Sequence, residues 1–117
     1  MNFEAEIVKL VERCPGSRGA AIVDPDGIPV AATPAGRSLE ALGTELAAVV
    51  AGIDRTGREF DHGGFEQLSV WAEDALIILT SLAAGYFLLL VLDRDALAGK
   101  GRLLSRLVGA RLYSEFV

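Results

Sequence analysis

The spacing of apolar and polar positions changes period several times along this chain, and each change marks an element. Phe3, Ile7, Leu10 and Val11 recur at helical spacing, so a first helix is expected from about Asn2, a good N-cap, to Arg13. Pro15-Gly16 ends it. Apolar residues to Val23 and from Ile28 to Ala31 then flank Asp24-Pro25-Asp26-Gly27, the composition of a tight hairpin turn. Asp24 can accept bonds from the backbone two residues on, Pro25 presets φ, and Gly27 tolerates φ > 0. Pro29 lacks a ladder donor and belongs at a strand start or where its nitrogen faces outward. After the loop Thr33-Pro34-Ala35-Gly36, Ser38 is expected to cap a long helix running to about Glu59. Leu39, Leu42, Leu46, Val49, Val50 and Ile53 form the face expected on the sheet, opposite Glu40, Thr44, Ala47, Ala48, Ala51, Arg55 and Arg58.

Thr56-Gly57 and His62-Gly63-Gly64 frame the exit from this helix, and from Phe65 to Glu73 the period becomes two. Leu68, Val70 and Ala72 fall on one side; Gln67, Ser69 and Glu73, with Phe65 and Trp71, fall on the other. Ala75 to Leu92 is an uncharged run of 18 residues, long enough by length alone for the lower limit of a membrane span. Its interior is punctuated by Thr80-Ser81 and Ala83-Ala84-Gly85, which favours two buried central strands joined by a turn, with no transmembrane segment. A last helix is expected from about Gly99 to Phe116 with Leu103, Leu104, Leu107, Val108 and Leu112 inward. The expected architecture is one α+β domain over residues 1–117, ordered α-β-β-α-β-β-β-α, with five mainly antiparallel strands and helices on both faces.

Pro15, Gly16, Gly19, Ala20, Ile22, Val23, Asp24, Asp26, Gly27, Ile28, Pro29, Val30 and Ala31 occupy the spaced positions of a hairpin signature. In this the chain resembles the roadblock dynein light chain family, and the order of elements extends the likeness over nearly its whole length. The resemblance implies a dimeric adaptor, and for bacterial, gliding-type members a regulator of small Ras-like GTPases. It implies that the third strand lies at the sheet edge and pairs with its copy near Leu68, Ser69, Val70 and Trp71. It also implies that two long helices lie side by side across the dimer, with Ala41, Ala48 and Gly52 at the contact. The partner surface expected on that helix comprises Thr44, Ala47, Ala48, Ala51, Arg55 and Arg58, where small residues let another backbone approach. Leu97-Ala98-Gly99-Lys100-Gly101 matches the family's usual Asn-rich helix start only loosely.

Composition narrows the function from another side. With 51% hydrophobic and 23% charged residues the chain is globular, and a net charge of −5 disfavours binding to nucleic-acid phosphates. The charge is uneven: Lys100, Arg102, Arg106 and Arg111 stand among no acids between residues 100 and 111, leaving −9 elsewhere. This is a solvated helix face, or a contact for an anionic partner or membrane surface. Cys14 is the only cysteine, so no internal disulfide can form, and no signal segment opens the chain; a cytoplasmic location with Cys14 as buried filler is expected.

No catalytic constellation emerges. His62 is the sole histidine and sits in a Gly-rich loop, and a zinc site would lack both Cys pairs and a second His. Asp24-Pro25-Asp26-Gly27 starts like a calcium loop but lacks the later ligands, and Gly99-Lys100 is preceded by Arg94 and followed by Gly101 where a phosphate loop needs Gly and Ser or Thr. Asp93 and Asp95 have no convergent partner for acid-base work. No enzyme activity and no cofactor are therefore expected. Two readings stay open: a homodimeric adaptor or GTPase regulator, and a sensory or scaffold domain holding a small ligand between sheet and helices.

Overall fold

In the computed structural model, which describes residues 2–116, the chain turns back at Asp24 as its residues require. Strand β1 (Ser17–Val23) and strand β2 (Pro29–Thr33) pair antiparallel. The Gly27 amide donates to the Asp24 carbonyl at 3.0 Å, and Asp24 Oδ1 accepts the amides of Asp26 and Ile28, each at 2.9 Å. Gly27 takes φ 82°, which a side chain would resist. Pro29 opens β2, which is an edge of the sheet, so its missing donor breaks no central ladder.

Helix α2 (Arg37–Glu59) follows, and then strands β3 (Gln67–Trp71), β4 (Leu76–Ser81) and β5 (Phe87–Leu92). The sheet order is β2-β1-β5-β4-β3, and every pairing is antiparallel. The uncharged run thus becomes the two strands β4 and β5 joined by a 3₁₀ turn at Ala83–Gly85. Leu76, Ile78, Leu79 and Leu88 to Leu90 are fully buried, each closed over by the helix layer on its own side of the sheet. No helix among the described residues is long and apolar enough to cross a membrane.

Two cores flank the sheet. Helix α1 (Phe3–Arg13) and helix α3 (Ala98–Leu112) cover one face, closing Ile7, Leu10, Val108 and Leu112 over Ile22, Ile78, Leu88 and Leu90. Cys14 lies in this core as a free thiol, and burial pushes its pKa up, against the opposing pull of Lys100. Helix α2 covers the other face, over Ala21, Val23, Leu79, Phe87 and Leu89.

Four local expectations are corrected. Gly36, not Ser38, holds the N-cap position of α2, and Ser38 lies inside the helix. Phe65 precedes β3 and is buried in the α2-side core with Leu68, because the chain has not yet entered the strand period. In α3 the inward line is Gly101, Ser105, Val108 and Leu112, whereas Leu103 and Leu107 are 50% and 42% exposed. Gly101 explains this rotation. A Cβ there would stand 2.9 Å from Leu92 and 3.0 Å from Ile78, so the helix approaches the sheet on its glycine and turns those leucines outward. In α2, Val49 and Ile53 are 44% and 38% exposed, although the helical projection put them on the sheet.

Candidate functional site

The surface of α2 divides into three strips, each set by what the helix touches. The inner strip comprises Leu39, Leu42, Gly43, Leu46, Ala47 and Val50. Gly43 permits this contact, since a Cβ there would meet Val23 Cγ2 at 2.8 Å. A second strip faces the β1–β2 turn: Thr44 Oγ1 donates to the Gly27 carbonyl at 2.7 Å. Farther along, Ala47, Ala51, Asp54 and Arg58 line a cleft of about 470 Å³ with Asp24, Pro25, Phe65 and the β4–β5 connection. Of the expected partner residues, Ala47 is therefore half-buried under the hairpin and not outward. Thr44 is exposed but tied down, and Ala48, Ala51, Arg55 and Arg58 are open to solvent.

Asp54 anchors the end of this strip. Its Oδ1 accepts the Phe65 amide at 2.8 Å and its Oδ2 accepts Arg58 Nε at 3.0 Å. The Phe65 amide, and after it Arg58, hold the Asp54 carboxyl below its usual pKa. This carboxylate and the tight Gly57–Gly63 approach fix how the chain leaves α2 and enters β3. A Cβ on Gly57 would collide with the Gly63 carbonyl oxygen, and the His62 amide donates to the Gly57 carbonyl at 2.8 Å. His62 itself is exposed on this loop.

The third strip is apolar and open. Ala48, Val49, Gly52 and Ile53 line a shallow groove with Arg55 and Thr56. Nearer the helix start, Ala41, Leu42 and Glu45 border a second opening of about 480 Å³ whose floor includes Val91 of β5. Helix α2 thus leaves the β5-β4-β3 side of its own sheet face partly uncovered. Ile77, Val91 and Leu68 are only half-buried there, and Val70 shares their face through its pairing with Ile77.

Strand β3 completes the region. It pairs with β4 alone, so its other edge has no partner strand among the described residues. The alternation expected from sequence is observed within the strand: Leu68 and Val70 lie opposite Leu79 and Ile77 on the α2 side, with Ser69 and Trp71 on the other. Trp71 is 51% exposed and carries the Arg94 guanidinium 4.7 Å above its ring.

The structure therefore brings Ala41, Ala48, Gly52, Leu68 and Val70 to one side of the molecule, with Ser69 and Trp71 on the reverse of the same edge. Sequence reasoning missed Val49 and Ile53. The signal that finds them is the spacing of Leu42, Leu46, Val49 and Ile53, four-three-four, the repeat of a helix–helix seam. Leu42 and Leu46 turn partly onto the sheet, and Val49 and Ile53 continue the seam into solvent. No group of three or more His, Cys, Asp or Glu side chains that could hold a metal occurs among the described residues.

Comparison with known proteins identifies the architecture. The Roadblock/LC7 domain crystal structure from Streptomyces avermitilis superposes with a TM-score of 0.89 at 17% identity, over 98% of each chain. MglB of Myxococcus xanthus gives 0.82 at 16%, over 99% of this chain and 98% of that one. The gliding protein MglB from Thermus thermophilus gives 0.79 at 22%, over 96% and 89%. No curated protein sequence matches significantly. The Roadblock/LC7 domain model matches residues 4–93, the span that holds the hairpin, α2 and all five strands, and the chain belongs to the Roadblock/LC7 domain family.

Proposed function

We propose that this chain is a homodimeric cytoplasmic adaptor that binds and regulates a small Ras-like GTPase without bond-making chemistry of its own. The observation that carries the reading is the open apolar strip of α2, Val49 and Ile53 beside Ala48 and Gly52, on the same sheet face as Leu68 and Val70 of β3, whose outer edge is unpaired. A second copy related by a twofold axis normal to the sheet would pair β3 with β3, and would lay its α2 against the first over Ile77 and Val91. One arrangement then satisfies both the bare backbone edge and the exposed seam.

In such a pair Ala51 and Arg55, with Ala48 at the border of the seam, make a low platform doubled by symmetry. A globular GTPase seated across it would take two copies of this chain. Arg55 makes no ion pair among the described residues, whereas Arg58 is held by Asp54. An arginine supplied in trans to a GTPase is worth about 10³ to 10⁵ in rate. The small residues around Arg55 fit better with ordering the partner's switch loops. The MglB relatives share the fold and support this class of role.

The test mixes the purified chain with a GTP-loaded Ras-like GTPase encoded beside it and measures binding by calorimetry. Two copies per GTPase are expected. Replacing Ala48 and Ala51 together with Glu should weaken binding at least about tenfold, or about 1.4 kcal/mol. Unchanged affinity in a folded double variant refutes the platform, and nucleotide turnover by this chain alone refutes the non-enzymatic reading.

A further inference from the structure

The outer face of α3 belongs to neither core nor to the strip on α2. Because Gly101 rotates the helix, Leu103 and Leu107 stand on its crest, and Leu97 and Tyr113 at its two ends are 65% and 60% exposed. Basic side chains flank this apolar line: Lys100 on one side, Arg102 and Arg106 on the other, with Arg106 and Lys100 exposed. Arg111 is set apart, since its Nε bonds Glu6 Oε2 at 3.0 Å across α1. Acids around this helix are Asp95 and Glu115 beyond its ends, Glu66 across the adjoining cleft and, on the neighbouring α1, Glu6, which is held by Arg111.

We propose that this face is a docking surface for an anionic lipid bilayer. A helix lying in the plane of a membrane presents this pattern, an apolar crest for the acyl boundary with Lys and Arg beside it for acidic headgroups. The charge of the rest of the molecule, −9 outside residues 100–111, selects the orientation. An anionic surface attracts this helix more than the rest of the molecule. The shape selects a bilayer over an acidic peptide. The cleft beside α3 is lined by Thr80, Leu82, Arg106 and Tyr113 and contains neither Leu103 nor Leu107. A peptide seated in that cleft would leave the crest in water, whereas a flat surface reaches it.

The lipid contact stands on one copy of the chain. Should the proposed β3 pairing also hold, both α3 helices would lie on the same side of the joined sheet, and both α2 helices on the opposite side, facing away from the bilayer.

Vesicle sedimentation tests the proposal, using phosphatidylcholine alone and phosphatidylcholine with about a third phosphatidylserine. Binding to the anionic vesicles only is expected, falling as salt rises above about 0.1 M. Lys100→Gln with Arg106→Gln should reduce partitioning more than about tenfold, since each base near such a surface contributes about a factor of five. Leu103→Ser with Leu107→Ser should cause a comparable loss, and unchanged circular dichroism melts for both pairs separate lost docking from lost folding. Equal binding to neutral vesicles, no binding to anionic ones, or folded variants that bind as well as the parent would each overturn the proposal. So would capture of an acidic peptide by a chain that ignores vesicles. Ser69→Pro removes an N–H that faces the free edge of β3 and should break only the proposed strand pairing, which distinguishes the two ideas: single copies should still bind lipid, more weakly.

Discussion

Replacing Val49 and Ile53 together with Ser isolates the open seam of α2. Val, Ile and Ser have similar helix propensities, so the helix itself should be little affected. Both side chains meet water over about two-fifths of their surface in a single copy, and neither belongs to either core cluster, so the change removes modest core contact. Burying a whole Val or Ile side chain is worth about 1.5 to 3 kcal/mol, and two-fifths of that is about 0.6 to 1.2. A twofold pair buries four such side chains, giving about 2.5 to 5 kcal/mol of association energy lost in the variant. That is about two to three and a half powers of ten in the dissociation constant. Sedimentation equilibrium across a concentration series measures it directly, with the emission of Trp71, at the end of β3, as a second reporter. A parent chain that stays monomeric at high micromolar concentration, or a folded variant that associates as tightly as the parent, refutes the reasoning.

Gly57→Ala should destabilise the fold by at least about 1 kcal/mol in thermal melts, because the new methyl meets the Gly63 carbonyl; helix propensity alone would raise stability, so the sign decides. Asp24→Ala removes the acceptor for two turn amides and should cost about 1 to 2 kcal/mol, with faster hydrogen exchange at Asp26 and Ile28. For Asp54, the folded pKa lies below the ordinary 3.8, so its contribution is complete above that value and is lost as pH falls through the lower folded one. Asp54→Asn should therefore flatten the acid limb of stability below about pH 4, and an unaltered limb would place that sensitivity elsewhere.

Turn chemistry and strand period were readable from sequence because they are local. Asp24, Pro25 and Gly27 determine their own hydrogen bonds whatever packs around them, and the alternation of Leu68, Ser69, Val70 and Trp71 matches the pairing with β4. What escaped was the rotation of helices about their own axes. That depends on single glycines meeting particular neighbours, Gly43 on Val23 and Gly101 on Leu92 and Ile78, which are distant in sequence. Each small residue draws its helix in, and leucines or valines assigned to the core then turn outward. The candidate site suffered most from this. Helical projection alone places Ala47 outward and Val49 and Ile53 on the sheet, whereas Ala47 is packed and Val49 and Ile53 are exposed. The cap of α2 departs from residue preference in the same way: Ser38 is the residue type that caps, but Gly36 carries the extended backbone that precedes the first turn.

The two rims of the sheet are chemically unlike, and this limits how many copies could ever join. One rim, β2, begins with Pro29, and its pairing with β1 is disturbed by an irregularity between Ile22 and Val23. A strand approaching there meets a missing donor and a distorted ladder. The opposite rim, β3, carries no proline and pairs with β4 in unbroken register. A molecule with two receptive rims could add neighbours without end and grow into a ribbon. With one receptive rim, pairing through β3 would use up that rim, and strand pairing alone would not extend the sheet into a ribbon.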